Sequence, residues 1–154
     1  MQGDLLSSRR AQLRDRGQLC HWTSDRLRWT DTDSWGHINH TLYPVFCDSG
    51  SHAFMLAYVH PHLPPGQSLM VARLTINYEA EAFYPNDIEI GTVPLAVGRS
   101  SFSLGHGLFV ADQIVATAET VFVNLARETR RSVELPPVVR SLLVERVLPE
   151  PQPE

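Results

Sequence analysis

Residues 40–58 read H-T-L-Y-P-V-F-C-D-S-G-S-H-A-F-M-L-A-Y, and this stretch predicts the central element of the protein. Small and apolar residues recur along it at the i, i+3, i+4 spacing of one buried helix face. That predicted face consists of Leu42, Val45, Phe46, Ser49, Gly50, Ala53, Phe54 and Ala57. Because Pro44 is tolerated only in the first helical turn, the helix is expected to start near Thr41, capped by Asn39 or Thr41. Gly50 lowers helix propensity, and its expected benefit is the close approach of another backbone.

Strand patterns flank this helix on both sides. Beyond it, apolar residues alternate with polar ones over about residues 72–79, which is typical of a half-buried strand. Further strands are predicted at 19–30, 88–97, 101–109 and 113–125, with a short last helix at 138–143. One apolar helix on one antiparallel sheet is an α+β arrangement. The pattern predicts that class directly, but it does not by itself show the sheet wrapped around the helix.

The chain length of 154 residues is that of one domain. We expect a single domain over residues 19–145, which contains all of these strands and both predicted helices. Residues 1–18 are polar and arginine-rich and are interpreted as an N-terminal extension, either a short helix or a loose segment. Residues 146–154, rich in proline and glutamate, are expected to form a disordered tail.

The charge and the cysteine content exclude several classes of protein and of partner. A net charge of −4 is too weakly acidic to argue for nucleic acid or an anionic membrane as partner. No apolar run approaches the ~18 residues of a membrane span, and the N-terminus lacks the apolar region of a signal peptide. Cys20 and Cys47 form no CxxC and are interpreted as reduced, half-buried thiols. We therefore expect a cytoplasmic protein without membrane insertion and without a nucleic-acid partner.

The segment just before the helix contains the candidate catalytic residues. Residues 31–43 read D-T-D-S-W-G-H-I-N-H-T-L-Y, between an apolar strand and the helix start. A carboxylate there lies near a helix N-terminus, whose unbonded N–H groups and dipole stabilise negative charge. Thioester hydrolysis needs N–H donors for the developing oxyanion, and either a base that activates water or a nucleophile. One aspartate beside one helix N-terminus supplies both.

This segment resembles the D-x-D-x-x-G-H-x-N-x-x-x-Y signature of the 4-hydroxybenzoyl-CoA thioesterase family, a group of hotdog-fold acyl-CoA thioesterases. The resemblance extends over about residues 22–143. Its later parts are R-L-T-I-N-Y-E-A-E-A-F-Y-P-N-D-I-E-I at 73–90, G-R-S-S-F-S-L at 98–104 and V-A-T-A-E-T-V-F-V at 115–123. It implies the hotdog fold, in which an antiparallel sheet wraps one long central helix, and the hydrolysis of an acyl-CoA.

The resemblance also implies roles for individual residues. The catalytic carboxylate of the family falls on Asp33, and its main-chain oxyanion donor falls near His40. Because Pro44 shifts the expected helix start, Asn39, His40 and Thr41 all remain candidates for that donor. Asp31 is interpreted as ordering the loop by hydrogen bonding.

By the same resemblance the protein is a homodimer or homotetramer with its active site at the dimer interface. The stretch Ser68-Leu69-Met70 of the second protomer would then line the acyl pocket. Two protomers joined through their edge strands would also protect those edges.

Several of these residues have alternative interpretations. Asp31 and Asp33 are also common turn formers. His37 is a pocket or loop-ordering residue, or a general base of the kind that hotdog dehydratases use. The His37/His40 spacing lacks the third ligand of a metal site, so no metal is predicted.

Other candidates for substrate binding are equally open. Asn39 fits a helix cap as well as a substrate contact, and Tyr43 fits core packing as well as a ligand contact. Arg99 and Ser100 are candidates for contacts with the pantetheine arm or a phosphate of CoA, since guanidinium groups pair well with phosphate oxygens, or they form a solvated turn.

The function expected from the sequence is the reaction of an acyl-CoA with water to give a carboxylic acid and CoA. No metal and no bound organic cofactor is implied, because CoA leaves as a product. Asp33 is either the base or the nucleophile. The alternatives are hydrolysis of an acyl carrier protein thioester, a hotdog dehydratase, and a non-catalytic acyl-binding module. The acyl chain stays open because it depends on side-chain packing.

Overall fold

A five-stranded antiparallel sheet forms the frame of the protein, whose computed structural model describes residues 5–151. The order along the sheet is β1-β3-β4-β5-β2, so that the strand following the central helix lies at the far edge. The elements are α1 Leu5–Leu13, β1 His21–Arg26, α2 Tyr43–Tyr58, β2 Gln67–Tyr78, β3 Asp87–Val97, β4 Ser101–Val110, β5 Gln113–Ala126 and α3 Pro137–Val144. Among the described residues, no helix combines the length and apolarity that a bilayer span requires.

The central helix α2 lies on the inner face of this sheet, which confirms the α+β hotdog arrangement. The helix comes close to the sheet at Gly50, since a Cβ built there would lie 2.5 Å from Cγ2 of Ile90 and 2.9 Å from Oγ1 of Thr92. Two hydrophobic clusters fill the space between helix and sheet, one around Phe46 and one around Phe54. Gly50 therefore permits the contact between helix and sheet, although the atoms that approach it belong to side chains and not to the expected backbone.

The buried face of α2 differs from the predicted one. It consists of Tyr43, Phe46, Cys47, Gly50, Ser51, Phe54 and Met55, whereas Val45 is 56% exposed and Ala57 is exposed. The predicted face and the observed face share Phe46, Gly50 and Phe54. Both have helical spacing, and the distribution of apolar residues alone does not show which of the two is buried. The helix also starts at Tyr43, because a 3₁₀ turn over His40–Leu42 precedes it.

A polar cluster is buried directly beneath Gly50. Nδ1 of His106 lies 3.0 Å from Oγ1 of Thr92, and its Nε2 lies 3.2 Å from the hydroxyls of both Ser51 and Thr120. Complete burial disfavours the charged ring and lowers the pKa of His106 to about 3. His106 is therefore a neutral hydrogen-bonding partner that links the helix to the sheet.

The outer face of the sheet is covered by the ends of the chain. Leu6 and Leu13 of α1 are fully buried there against Val93 and Leu95 of β3. The predicted N-terminal extension is thus a packed helix from residue 5, and residues 1–4 lie outside the described residues. The expected disordered tail is ordered at its start, because Leu148 is buried and its N–H donates to the carbonyl of Pro94 at 2.9 Å. Residues 152–154 lie outside the described range.

Strand β2 begins at Gln67, five residues before the predicted start. Its whole length pairs with β5, from Gln67 opposite Ala126 to Tyr78 opposite Ala116. No other strand of the described sheet pairs with its second edge, near which Met70 and Val71 are 44% and 46% exposed. A long edge strand with apolar side chains is a ready site for pairing with another chain.

Candidate active site

The loop that carries Asp33 is closed by the Asp33 side chain itself. Its Oδ1 accepts the N–H of Trp35 at 2.8 Å and the N–H of His37 at 3.1 Å. The N–H of Asp33 in turn donates to the carbonyl of His37 at 2.8 Å. Gly36 takes the positive φ of 81° that this tight turn requires. Asp33 is thus a turn former, as one interpretation of the sequence held, and both of these bonds use only one of its carboxylate oxygens.

Hydrogen bonds of Asp31 hold the start of the same loop in place. Its Oδ2 accepts the N–H of Arg28 at 2.8 Å, and its carbonyl accepts the N–H of Asn39 at 2.8 Å. These bonds are of the ordering kind that the sequence suggested for Asp31.

The main-chain N–H groups just before the central helix differ in their hydrogen bonding. Asn39 Oδ1 accepts the N–H of Thr41 at 3.0 Å, while the N–H of Asn39 is bonded to Asp31. Asn39, one of the two residues predicted to cap the helix, thus caps the 3₁₀ turn that precedes α2, and α2 itself begins without a side-chain cap. The N–H of Leu42 donates to the carbonyl of Asn39 at 3.1 Å. Within residues 5–151, no recorded hydrogen bond uses the N–H of His40. Of the three candidates for a main-chain oxyanion donor, His40 is therefore the one whose N–H is not otherwise engaged.

A cavity of about 350 Å³ contains Asp33 and His40 in its lining, together with His37 and Tyr43. Tyr78 completes this side, because its hydroxyl donates to the carbonyl of His40 at 3.2 Å and its ring lies 5.2 Å from that of Tyr43. Burial, followed by the proximity of Tyr78, raises the pKa of Tyr43 to about 12, so its phenol stays protonated at neutral pH. The structure therefore brings four of the predicted site residues to one cavity.

The opposite wall of the cavity is the segment that follows β2. Ala82 accepts the N–H of Ile38 at 2.8 Å, and Nε2 of His37 lies 3.5 Å from the Glu81 carboxylate. The ring of His37 also contacts that of Phe83, with 5.1 Å between centroids. The sequence did not predict that Tyr78 or residues 79–82 belong to the site, because its pattern showed only that a strand ends there. Only tertiary pairing joins it to the Asp33 loop.

Ser68 and Leu69 line a second cavity, of about 600 Å³, with His60 and Arg127. It lies at the start of β2, whereas Tyr78 ends that strand. At about 3.3 Å per residue, the ten steps along the strand from Ser68 to Tyr78 span roughly 33 Å. Within one protomer the Ser68-Leu69-Met70 stretch and the Asp33 cavity are therefore far apart.

Arg99 and Ser100 also lie at that distant end of the sheet. They precede Ser101, which pairs with Val123, whereas Tyr78 and Leu108 both lie opposite Ala116. The Arg99 side chain is 82% exposed and its Nε lies 2.6 Å from the Glu134 carboxylate. Asn39, finally, acts as a cap and is absent from the lining of the Asp33 cavity.

Comparison with solved structures supports this fold. A Pseudomonas aeruginosa protein is 26% identical with a TM-score of 0.77, and the match covers 88% of this chain and 97% of that one. A 1,4-dihydroxy-2-naphthoyl-CoA thioesterase from Synechocystis is 16% identical with a TM-score of 0.69, covering 80% and 95%. A Staphylococcus aureus protein solved in complex with CoA is 14% identical with a TM-score of 0.75, covering 86% and 89%.

Sequence comparison gives the family. No functionally curated protein matches the chain. The profile of the Thioesterase-like superfamily matches residues 27–143, which include the Asp33 loop, the central helix and strands β2 to β5. The chain therefore belongs to the Thioesterase-like superfamily.

Proposed function

We propose that this protein is an acyl-CoA thioesterase that hydrolyses an acyl-CoA to a free carboxylic acid and CoA. The observation that carries the proposal is that Asp33 and His40 line one cavity, with the N–H of His40 in no hydrogen bond to any residue from 5 to 151. The N–H of His40 is the proposed donor to the thioester carbonyl, where it stabilises the developing oxyanion. Membership of the Thioesterase-like superfamily supports the same reaction class.

Asp33 is the proposed reacting carboxylate. With Oδ1 held by the N–H groups of Trp35 and His37, the carboxylate has a fixed orientation, and Oδ2 is the oxygen proposed to act. Either Oδ2 takes a proton from a water molecule that attacks the carbonyl, or it attacks the carbonyl itself and forms a mixed anhydride that water then opens. CoA thiolate leaves in both cases. A single turnover in ¹⁸O-labelled water distinguishes the two routes. Direct attack by water puts the label in the product acid, whereas an anhydride opened by water at the Asp33 carbonyl leaves the label on Asp33 and gives the product an unlabelled Asp33 oxygen.

The active unit is proposed to be a homodimer formed through the β2 edges. If two β2 strands pair antiparallel about their midpoints, Gln67 of one comes beside Tyr78 of the other. The Ser68–Leu69 cavity of one protomer then adjoins the Asp33 cavity of its partner. The two cavities would form one long cleft, with room for an extended substrate such as acyl-CoA, and Ser68, Leu69 and Met70 would line it. Assembly of such dimers into a tetramer remains a further proposal.

CoA is the proposed carrier, a choice that the CoA complex of the similar Staphylococcus aureus protein supports. Arg99 and Ser100, at the Ser68 end of the sheet, are proposed to contact the CoA part of the substrate. The proposed location is the cytoplasm, where acyl-CoA is made and used.

The test is a panel of acyl-CoAs with short, long, branched and aromatic acyl groups, with release of the CoA thiol measured directly. Acyl carrier protein thioesters and β-hydroxyacyl-CoAs are assayed in parallel. Hydrolysis of at least one acyl-CoA with a kcat/KM above that for its carrier-protein counterpart supports the proposal. Dehydration without hydrolysis, or tight acyl-CoA binding without turnover, would refute it.

A further inference from the structure

The N-terminal helix α1 lies outside residues 27–143, the part of the chain that defines its family. It is nevertheless packed firmly on the outer face of the sheet, where Leu6 and Leu13 are fully buried. Arg9 binds it to the C-terminal segment by donating to the carbonyl of Leu148 at 2.8 Å. A helix held so closely on the face opposite α2 raises the question of what it does there.

Two arginines of this N-terminal segment hold one carboxylate, that of Glu79. Arg10 donates from Nε to Oε1 at 2.6 Å and from a terminal nitrogen to Oε2 at 2.7 Å, a bidentate pair. Arg14 donates to Oε2 as well, and the Thr117 hydroxyl donates to Oε1 at 3.1 Å. The Glu79 side chain is only 4% exposed, so its charge depends on these partners. The hydrogen bond from Arg10, with further help from Arg14 and Thr117, lowers the pKa of Glu79 to about 2.

Glu79 is also the first residue of the wall of the Asp33 cavity. Residues 79–82 line that cavity, and Ala82 accepts the N–H of Ile38 at 2.8 Å. Tyr78, directly before Glu79, donates its hydroxyl to the carbonyl of His40. A displacement of Glu79 would therefore reach the Asp33 loop through Ala82 and the start of the helix through Tyr78.

We infer that α1 is a clamp that positions the active site from the opposite face of the sheet, with Arg10 and Arg14 as positioning residues acting through Glu79. The inference rests on the proposed function, and it adds a specific role for a segment that the family profile does not include. The arginines touch neither substrate nor Asp33. They fix the end of β2, and thereby the wall against which the Asp33 loop is hydrogen-bonded. Preorganisation of this kind is what holds reacting groups in productive geometry.

The clamp also keeps the buried carboxyl group of Glu79, which lies beside the site, in its ionised form. Without Arg10 and Arg14, Glu79 would remain buried but lose its main stabilising partners, so its pKa would rise. The other groups on this side are the Thr117 hydroxyl and, further along the face, Glu119, which lies 3.6 Å from Arg73. Neither would replace the lost arginines beside Glu79. Glu79 would then become protonated at a higher pH than in the wild-type protein.

The experiment compares the full chain with the variant Arg10→Gln/Arg14→Gln and with the control Arg16→Gln. Arg16 belongs to the same N-terminal segment and also binds a sheet carboxylate, that of Glu89 at 2.9 Å, away from the cavity. For the double variant we expect kcat to fall about tenfold with KM changed less than about threefold, because positioning rather than binding is lost. Its kcat should also gain a new rise with pH, and that rise should disappear when Glu79→Gln is added.

Hydrogen exchange of the Ile38 amide gives a second readout that does not need activity. We expect faster exchange in the double variant and wild-type exchange in Arg16→Gln. If the double variant does not fold, Glu79→Gln alone serves, since it keeps the shape and removes the charge, and it should also lower kcat and speed Ile38 exchange. Wild-type kcat, pH profile and Ile38 exchange in the folded variants would overturn the clamp. A wild-type protein that hydrolyses no thioester would overturn the proposed function instead, while Ile38 exchange would still test the clamp.

Discussion

Asp33 and His37 hold each other through two hydrogen bonds: the N–H of His37 donates to the side-chain Oδ1 of Asp33 at 3.1 Å, and the N–H of Asp33 donates to the carbonyl of His37 at 2.8 Å. The residue proposed to react is thus also the residue that shapes its loop. To test the reaction without disturbing the loop, a substitution at Asp33 must therefore remove the negative charge but keep an oxygen that accepts hydrogen bonds.

Asp33→Asn meets that requirement, because the amide oxygen can still accept the N–H groups of Trp35 and His37. The proposed mechanism loses its base or nucleophile, so we expect kcat to fall at least about a hundredfold. Folding, measured by circular dichroism, and CoA affinity, measured by calorimetry, should persist. Asp31→Asn is the matched control and should cost much less. If His37→Ala abolishes activity while Asp33→Asn is nearly silent, the dehydratase-like assignment replaces ours.

Gly50→Ala should destabilise the protein even though alanine favours helices by about 1 kcal/mol relative to glycine. The new Cβ would lie 2.5 Å from Cγ2 of Ile90, which forces the helix away from the sheet. We expect a net loss of about 1–3 kcal/mol in the free energy of unfolding, measured by urea denaturation. Asp48→Ala, at an exposed position of α2, should change stability little. An unchanged or higher midpoint for Gly50→Ala would contradict this close contact.

His106 should make stability depend on pH. Its pKa is lowered from 6.5 to about 3 by burial, so below pH 6.5 the unfolded chain binds a proton that the folded protein does not. Stability should therefore fall as pH decreases from 6.5 toward 3, by up to about 1.4 kcal/mol per pH unit from this residue. Urea midpoints between pH 7 and pH 5 should fall more steeply for wild type than for His106→Gln. Equal slopes would show that His106 titrates alike in both states.

Arg99→Ala should raise KM for acyl-CoA and leave kcat nearly unchanged. The proposed contact is with the CoA part of the substrate, made equally in ground and transition states. The exposed Arg26, whose Nε lies 3.4 Å from Asp87, provides a control substitution to alanine. Steady-state kinetics at two salt concentrations measure the effect, since a phosphate contact weakens with salt. A collapse of kcat with normal KM would refute the assignment.

Val71→Asp should dissociate the proposed dimer. A charge near the unpaired edge of β2, at a side chain 46% exposed, opposes the strand pairing that would join two protomers. Light scattering should show a dimer or tetramer for wild type and a monomer for Val71→Asp, with loss of activity because the cleft is divided. Val138→Asp, on the exposed side of α3, is the control. A wild-type monomer at micromolar concentration would contradict the prediction.

Sequence patterns were enough to predict the α+β class, the positions of strands β3 to β5 within about one residue at each end, and a close contact at Gly50. Local rules suffice for these features, because alternation, turns and glycine are read over a few neighbouring residues. The Asp33 loop was also recognisable locally, since its side chain, its turn and the following cap all lie within residues 31–43.

Folding determined the features that depend on residues distant in the sequence. It selected which of two overlapping stripes of α2 is buried, because the Ser51 hydroxyl bonds to His106 of the sheet and Cys47 packs in the hydrophobic cluster around Phe46. It brought Tyr78 and the 79–82 wall to the Asp33 loop, and it placed α1 over Glu79. No local pattern encodes these relations. They arise because the chain returns β2 to the far edge of the sheet, so that contacts between remote segments settle the geometry of the site.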